Sequence, residues 1–422
     1  LETKQSRLGQ QMKILICILL FTSYSIFAQN QPTIGMNITE MGYDTRYMTL
    51  PAPLKSKAQI AIDEAVNLGM KHVVLNVRAH MIGPRSSDIR FVFNDKNEEI
   101  EGLKDLIAYA HQQKLTVGLR PILLVLGPNR EFPYTENGHL WWHGNIKPDN
   151  PDTWFVAFQN FVLFYADNLA LDIEEFTIGA EMQSMTVGMG SNDNAYLIGQ
   201  PEKWLQLLRS IRQINSKIKI TYDINFPETL VPLTNNIGGE FERWRHLIVD
   251  LENSPSAEIQ RKRTSIIQLW KEFDFIGLDF YRYLSNTTLN IPTDFNVLTE
   301  KLTSTALGHA TQIDNALSEI EFITSTPKKL VIKEIGYRSV KGCFVNPASY
   351  SSSGGTLNID HQAASYKAIA NAFIAPSWPW FKGIYLWDIS TDPKLKGPKD
   401  IGFSPLGKPK TLEIIKKDFL GL

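Results

Sequence analysis

Cysteine is nearly absent: Cys17 and Cys343 are the two in 422 residues. Cys17 falls in a leader, which leaves one thiol in the mature chain and excludes an internal disulfide. The chain also lacks the HxH, HExxH and CxxC spacings of zinc sites, so neither a metal nor another cofactor is expected. No GxSxG elbow, GxxxxGK[ST] loop or strand-linked GxGxxG occurs, which excludes the common serine-hydrolase, phosphate-loop and dinucleotide-binding plans. Net charge is almost absent too, at -1. The Lys and Arg residues are scattered along the chain, so a large electrostatic surface for nucleic acid is not expected, and a neutral substrate fits better. No internal repeat and no linker divides the chain, although SSSGG at 351 reads as a loop.

One apolar run does stand out, near the start. Met12 and Lys13 lead into the stretch Ile14 to Phe21, followed by small and polar residues up to Ala28. That is the pattern of a secretory signal peptide cleaved near Ala28, with an apolar segment too short for a membrane anchor. Cys17 lies too close to Met12 for a lipoprotein signal. Residues 1–11 read as upstream or non-native sequence, and 29–422 as a single catalytic domain. Periplasmic or extracellular location, no membrane span and a monomer are the corresponding expectations.

From there the chain alternates amphipathic helices with short β-branched runs. Ala58, Ala61, Ala65 and Leu68 fall at helical spacing, Gly69 stops them, and HVVLNV follows from His72. Leu103, Leu106, Ile107 and Ala110 make the next stripe, before a strand at Leu115 to Leu119. Asn150 and Pro151 open a helix whose face carries Trp154, Phe158, Phe161, Tyr165 and Leu169. Further strands are predicted at EEFTIGAE, IKITYDI from 218, FDFIGLDFY from 273, KLVIKE from 329 and GIYLWDI from 383, after a first at TIGMN from 33. Helices are predicted near 201–214, in a long region up to Trp270, and around 309–323, 360–374 and 409–418. Eight strands separated by helices predict a single-domain (β/α)8 TIM barrel. Its long loops would be 120–150, 182–200, 226–260 and 339–358.

Active sites of such barrels gather where the strands end. Strand four stops at Glu181 and strand seven at Glu334, so two acids face one mouth. Such a pair can flank a glycosidic bond, one acid protonating the leaving oxygen and the other attacking the anomeric carbon. The roles need different pKa values, set by apolar walls and like charge for one acid and by hydrogen-bond donors for the other. Tyr281 closes strand six and is a candidate donor to Glu334; Arg78 and Arg120, at the ends of strands two and three, are candidates for added positive charge, or for ion pairs inside the barrel. This makes Glu334 the nucleophile and Glu181 the acid/base. Pyranose rings stack on flat aromatic faces, and HLWWHGNIKP supplies Trp141, Trp142 and His143, with Trp387 at the end of strand eight. At least one of the paired tryptophans is expected to be exposed.

At these residues the sequence resembles glycoside hydrolase family 113, the β-mannanase family of clan A. The resemblance runs through WHGNIKPDNPDTWFVAFQNFVLFYADNLA, FTIGAEMQS, IGLDFY, IKEIGYRS, the QAASYKA segment from 362, and GFSPLGKP at 402, covering about 33 to 415. It implies a (β/α)8 barrel, a retaining β-mannanase on a mannan-type polysaccharide or oligosaccharide, Glu181 as acid/base, Glu334 as nucleophile, and Tyr281 beside the nucleophile. The clan's usual asparagine before the acid/base is here Ala180, which cannot hydrogen-bond a sugar 2-hydroxyl; Asn225, at the end of strand five, is the candidate replacement. Other β-glycans or linkages, and a non-catalytic glycan-binding barrel, are the alternatives.

Overall fold

The computed structural model describes residues 31–39, 47–93, 95–189, 193–227, 239–349 and 354–422. The leader expected at 12–28 lies outside them. Eight parallel strands form the frame: β1 Thr33–Thr39, β2 His72–Ile82, β3 Thr116–Leu126, β4 Glu175–Ala180, β5 Lys219–Pro227, β6 Ile276–Tyr281, β7 Leu330–Ile335 and β8 Phe381–Ser390. Each pairs with its sequence neighbours, and β1 pairs with both β2 and β8, so the sheet closes into a barrel. A helix follows each strand: α1 Lys57–Leu68, α2 Lys96–Gln112, α3 Pro151–Leu169, α4 Pro201–Ile214, α5 Ala257–Glu272, α6 Phe295–Thr324, α7 Ile359–Ile369 and α8 Pro409–Ile414. The (β/α)8 expectation is met. No helix among the described residues is long and apolar enough to cross a membrane.

Local chemistry sets the boundaries. Ser56 and Gln59 make a reciprocal capping box at the start of α1, and Gly69, at a φ of 98°, closes it in a left-handed conformation. Asn150 caps α3 ahead of Pro151, and Trp154, Phe158, Phe161, Tyr165 and Leu169 are all buried as their spacing predicts.

Four boundaries differ from the sequence reading. β3 continues past Leu119 to Leu126, through Arg120 and Pro121. It pairs with β2 along this whole length but with β4 only at Gly118 and Leu119, so its outer half is an edge, where a proline costs no ladder bond. β2 likewise runs past Arg78 to Ile82. The helical region ahead of Trp270 is a short helix at Glu240–Arg245, an irregular turn, and then α5 capped by Ser256. α6 starts well before 309, capped by Asp294, with Leu298, Leu302 and Ala306 extending its buried stripe.

The barrel's interior is polar above a small plug. Val74, Phe275, Val331 and Tyr385 form an apolar cluster separate from the main core between sheet and helices. Above it the Lys333 ammonium pairs with Glu175, which also accepts the Tyr385 hydroxyl at 3.0 Å. Burial pushes Glu175 up, but Lys333 outweighs it and holds the carboxylate below its ordinary range. Burial pushes the neighbouring His72 down to about 4, so its ring is neutral.

Candidate active site

A bulge positions Glu334. The register of β7 against β6 shifts between Ile332 and Glu334, so one extra residue is accommodated there. Lys333 consequently reaches down to Glu175 while Glu334, next in sequence, reaches toward Arg120 and Tyr281 at the mouth. Strict alternation would have sent neighbouring residues to opposite faces. The Glu334 carboxyl accepts Nη1 of Arg120 at 2.6 Å on Oε2 and the Tyr281 hydroxyl at 2.7 Å on Oε1.

Arg120 is 1% exposed, well inside β3. Its guanidinium reaches three carboxylates from different strands: Glu334, Asp279 of β6, and Asp223 of β5 at 2.9 Å from Nε. The two readings of Arg120 thus coincide: it pairs with carboxylates inside the barrel, and Glu334 is one of them. Three acids on one cation cannot all ionise cheaply. Burial pushes Asp223 up to about 6 and Asp279 well above the usual aspartate range, with the Arg120 charge opposing the rise in both. Burial also pushes Glu334 above its ordinary value; the Arg120 charge pulls it back, the Glu181 charge adds to the push, and the hydrogen bonds from Tyr281 and Arg120 oppose it. The tyrosine hydroxyl itself is driven far up by burial and then by Glu334, and so stays a donor.

Glu181 follows β4 in the left-handed region, with a φ of 55°. Its backbone N–H donates to the Asp223 carbonyl at 2.8 Å. Its carboxyl Oε2 and the His143 Nε2 share a hydrogen bond of 3.1 Å, whose donor is whichever group carries the proton. His143 is brought there by Gly144. A Cβ at 144 would press into both the Trp142 ring and the Glu181 carbonyl, so only glycine lets this loop lie against the end of β4. Asn145 ties the loop down, accepting from the Trp142 N–H at 2.9 Å and donating to the Leu140 carbonyl at 2.9 Å.

The remaining expected residues are placed as follows. Asn225 ends up buried in β5, its amide oxygen without a hydrogen-bond partner among the described residues and its backbone N–H held by Glu240 at 3.1 Å. Trp387 is partly buried, its ring centroid 6.0 Å from the Arg120 guanidinium. Two expectations are corrected. Trp142 is only 7% exposed and Trp141 is partly buried against the core, so neither is an exposed platform; the close approach at Gly144 packs the Trp142 ring inward. Arg78 is not at a strand end, because β2 continues to Ile82, and among the described residues no ion pair joins it to Glu181 or Glu334. Asp223 and Asp279 were missed, although each lies two residues before a singled-out one, Asn225 and Tyr281, and so shares its face.

Among the described residues, no group of three or more His, Cys, Asp or Glu side chains is arranged to hold a metal ion. Two glutamates with different partners at the mouth of a (β/α)8 barrel are an arrangement able to cleave glycosidic bonds, and comparison with known proteins gives the family. The model of Glycoside Hydrolase Family 113 matches residues 53–228 and 236–408. The chain belongs to that family. No curated protein matches it. Solved structures do: a family 113 β-1,4-mannanase is 18% identical at a TM-score of 0.56, over 93% of this chain and 100% of that one. The family 113 β-mannanase AaManA from Alicyclobacillus acidocaldarius is 18% identical at a TM-score of 0.59, over 93% and 98%. A family 5 mannosidase from Rhizomucor miehei is 11% identical at a TM-score of 0.50, over 93% of each. At such identities these likenesses speak to the fold.

Proposed function

We propose that the protein is a retaining endo-β-mannanase in which Glu334 is the nucleophile and Glu181 the acid/base. The observation that carries this reading is the unequal supply of donors to the two acids. Arg120 and Tyr281 both donate to Glu334, and both favour its ionised form, as a nucleophile requires. Glu181 has His143 instead, a partner able to share a proton in either direction.

In the first half-reaction Glu334 attacks the anomeric carbon while Glu181 protonates the departing sugar oxygen. The ester so formed removes the Glu334 charge. Glu181, having given up its proton, is then the base that takes a proton from water as the water oxygen attacks the anomeric carbon and the ester bond to Glu334 breaks. Asn225 is the proposed hydrogen-bond partner of the sugar 2-hydroxyl, filling the part that Ala180 cannot; its buried amide oxygen, which has no partner among the described residues, supports this. Trp387 and Tyr281 would line the subsite around Glu334.

Mannan as substrate rests on the family and on the activities named for the similar structures. Export, expected from residues 12–28, suits a polymer too large to enter a cell. The test is hydrolysis of linear β-1,4-mannan, β-1,3-linked manno-oligosaccharides, glucomannan and cellulose, with the first-formed anomer followed by NMR. Internal cleavage of β-1,4-mannan with β-anomer product is expected. Preference for a glucan would reassign the substrate, and initial α-anomer would reassign the mechanism.

A further inference from the structure

A second carboxyl lies close behind the mouth and takes no part in the steps above. Glu240 is fully buried, at the start of the short helix after β5. Its Oε1 accepts the Tyr222 hydroxyl at 2.7 Å, the Thr186 hydroxyl at 2.8 Å and the Trp244 indole N–H at 3.4 Å; its Oε2 accepts the Asn225 N–H at 3.1 Å. Every one of these donors is neutral. The nearby Arg243 acts on it only through space, its own Nε donating to the Gly188 carbonyl. Burying a carboxyl among neutral donors is costly, and burial pushes this one up to about 7.

The bonds from Glu240 run to two backbone points beside the mouth. One is Asn225 in β5. The other is reached through Tyr222, whose oxygen donates to Glu240 and accepts the Met182 N–H at 2.7 Å. Met182 follows Glu181, the residue held at a φ of 55°. A side chain with a Cβ keeps that conformation only where its surroundings over-determine it. Here the Asp223 carbonyl holds the N–H of Glu181 itself, and the Tyr222 oxygen holds the next N–H along. Tyr222 packs outside the barrel against Trp204 and Trp244, so neither it nor Glu240 can reach a sugar.

We propose that Glu240 and Tyr222 are positioning residues, forming a strut that fixes the turn at Glu181 and thereby aims its carboxyl at the leaving oxygen. The proposal rests on the assignment of Glu181 as acid/base.

Leaving-group dependence separates aiming from mere stability, because a sugar leaving group needs protonation and a dinitrophenyl group does not. Tyr222→Phe and Glu240→Gln would be compared with Glu181→Ala on an unsubstituted manno-oligosaccharide and its dinitrophenyl β-glycoside, with thermal unfolding measured alongside. Both strut variants should lose about tenfold or more in kcat/KM on the oligosaccharide, and about threefold or less in kcat/KM on the activated glycoside, because kcat/KM reports the steps up to attack by Glu334 whereas kcat also includes the later step in which Glu181 is the base. Equal losses on both substrates, no loss on either, or failure of both variants to fold would overturn the strut. Leaving-group dependence in Glu181→Ala alone would overturn the strut and spare the acid/base assignment. A leaving-group-independent loss in Glu181→Ala would overturn both.

Discussion

Arg120 donates to Glu334 across the barrel at 2.6 Å, from a position that solvent does not reach. The same guanidinium also holds Asp223 and Asp279, so strands β3, β5, β6 and β7 meet on one cation. Glu334 and the barrel scaffold are therefore one network.

Removing that cation should damage stability and activity together. Arg120→Met leaves buried acids without their partner, and breaking a buried ion pair from one side costs about 3–5 kcal/mol. Arg120→Lys should recover only part, because an ammonium cannot fork to three carboxylates. Denaturant unfolding is the check; a midpoint unchanged in Arg120→Met would contradict the network's role.

The acidic limb of the pH–rate profile should belong to Glu334. Burial raises its pKa, and activity needs the ionised form, so kcat/KM should already be falling above the ordinary glutamate range as pH is lowered. Tyr281→Phe removes a hydrogen bond that stabilises the charged form. The pKa must then rise further, and the limb must move to higher pH, with kcat down by about tenfold to a hundredfold. A limb that stays in place or moves to lower pH would contradict the assignment.

His143→Ala should act through the other acid. Its ring touches Glu181 and not Glu334, so the loss should depend on how much the leaving group needs a proton. A loss of about tenfold in kcat/KM is expected on sugar leaving groups and little loss on a dinitrophenyl glycoside. Equal losses on both substrates would contradict the pairing.

Gly144→Ala tests how the loop carrying His143 is seated. A methyl group there meets the Trp142 ring and the Glu181 carbonyl, so overpacking should cost about 1–3 kcal/mol and reduce activity. An unaltered melting temperature with full activity would show that the loop has room to move.

The two glutamates were legible in the sequence because a strand's end is a local event: an apolar run stops and an acid follows. Tyr281 was legible for the same reason. Arg120 was read as a strand end because the apolar run stops at Leu119, whereas one-sided pairing in β3 lets the strand continue through Pro121. Adjacent tryptophans suggested an exposed sugar platform, but Gly144 permits a packing that buries Trp142. Asp279 was hidden inside IGLDFY, where an acid interrupts an otherwise apolar strand. Glu240 carried no local signal, since its partners come from the turn after β4, from β5 and from its own short helix, and only folding brings them together.

The central claim is that Glu334 forms a covalent bond to the sugar. Incubation with a 2-deoxy-2-fluoro-manno-oligosyl fluoride, followed by peptide mass mapping, tests it directly. The account predicts one label, on the peptide carrying Glu334, released with recovery of activity when an acceptor is added. A label on any other residue, or turnover of mannan with no label forming at all, would contradict it.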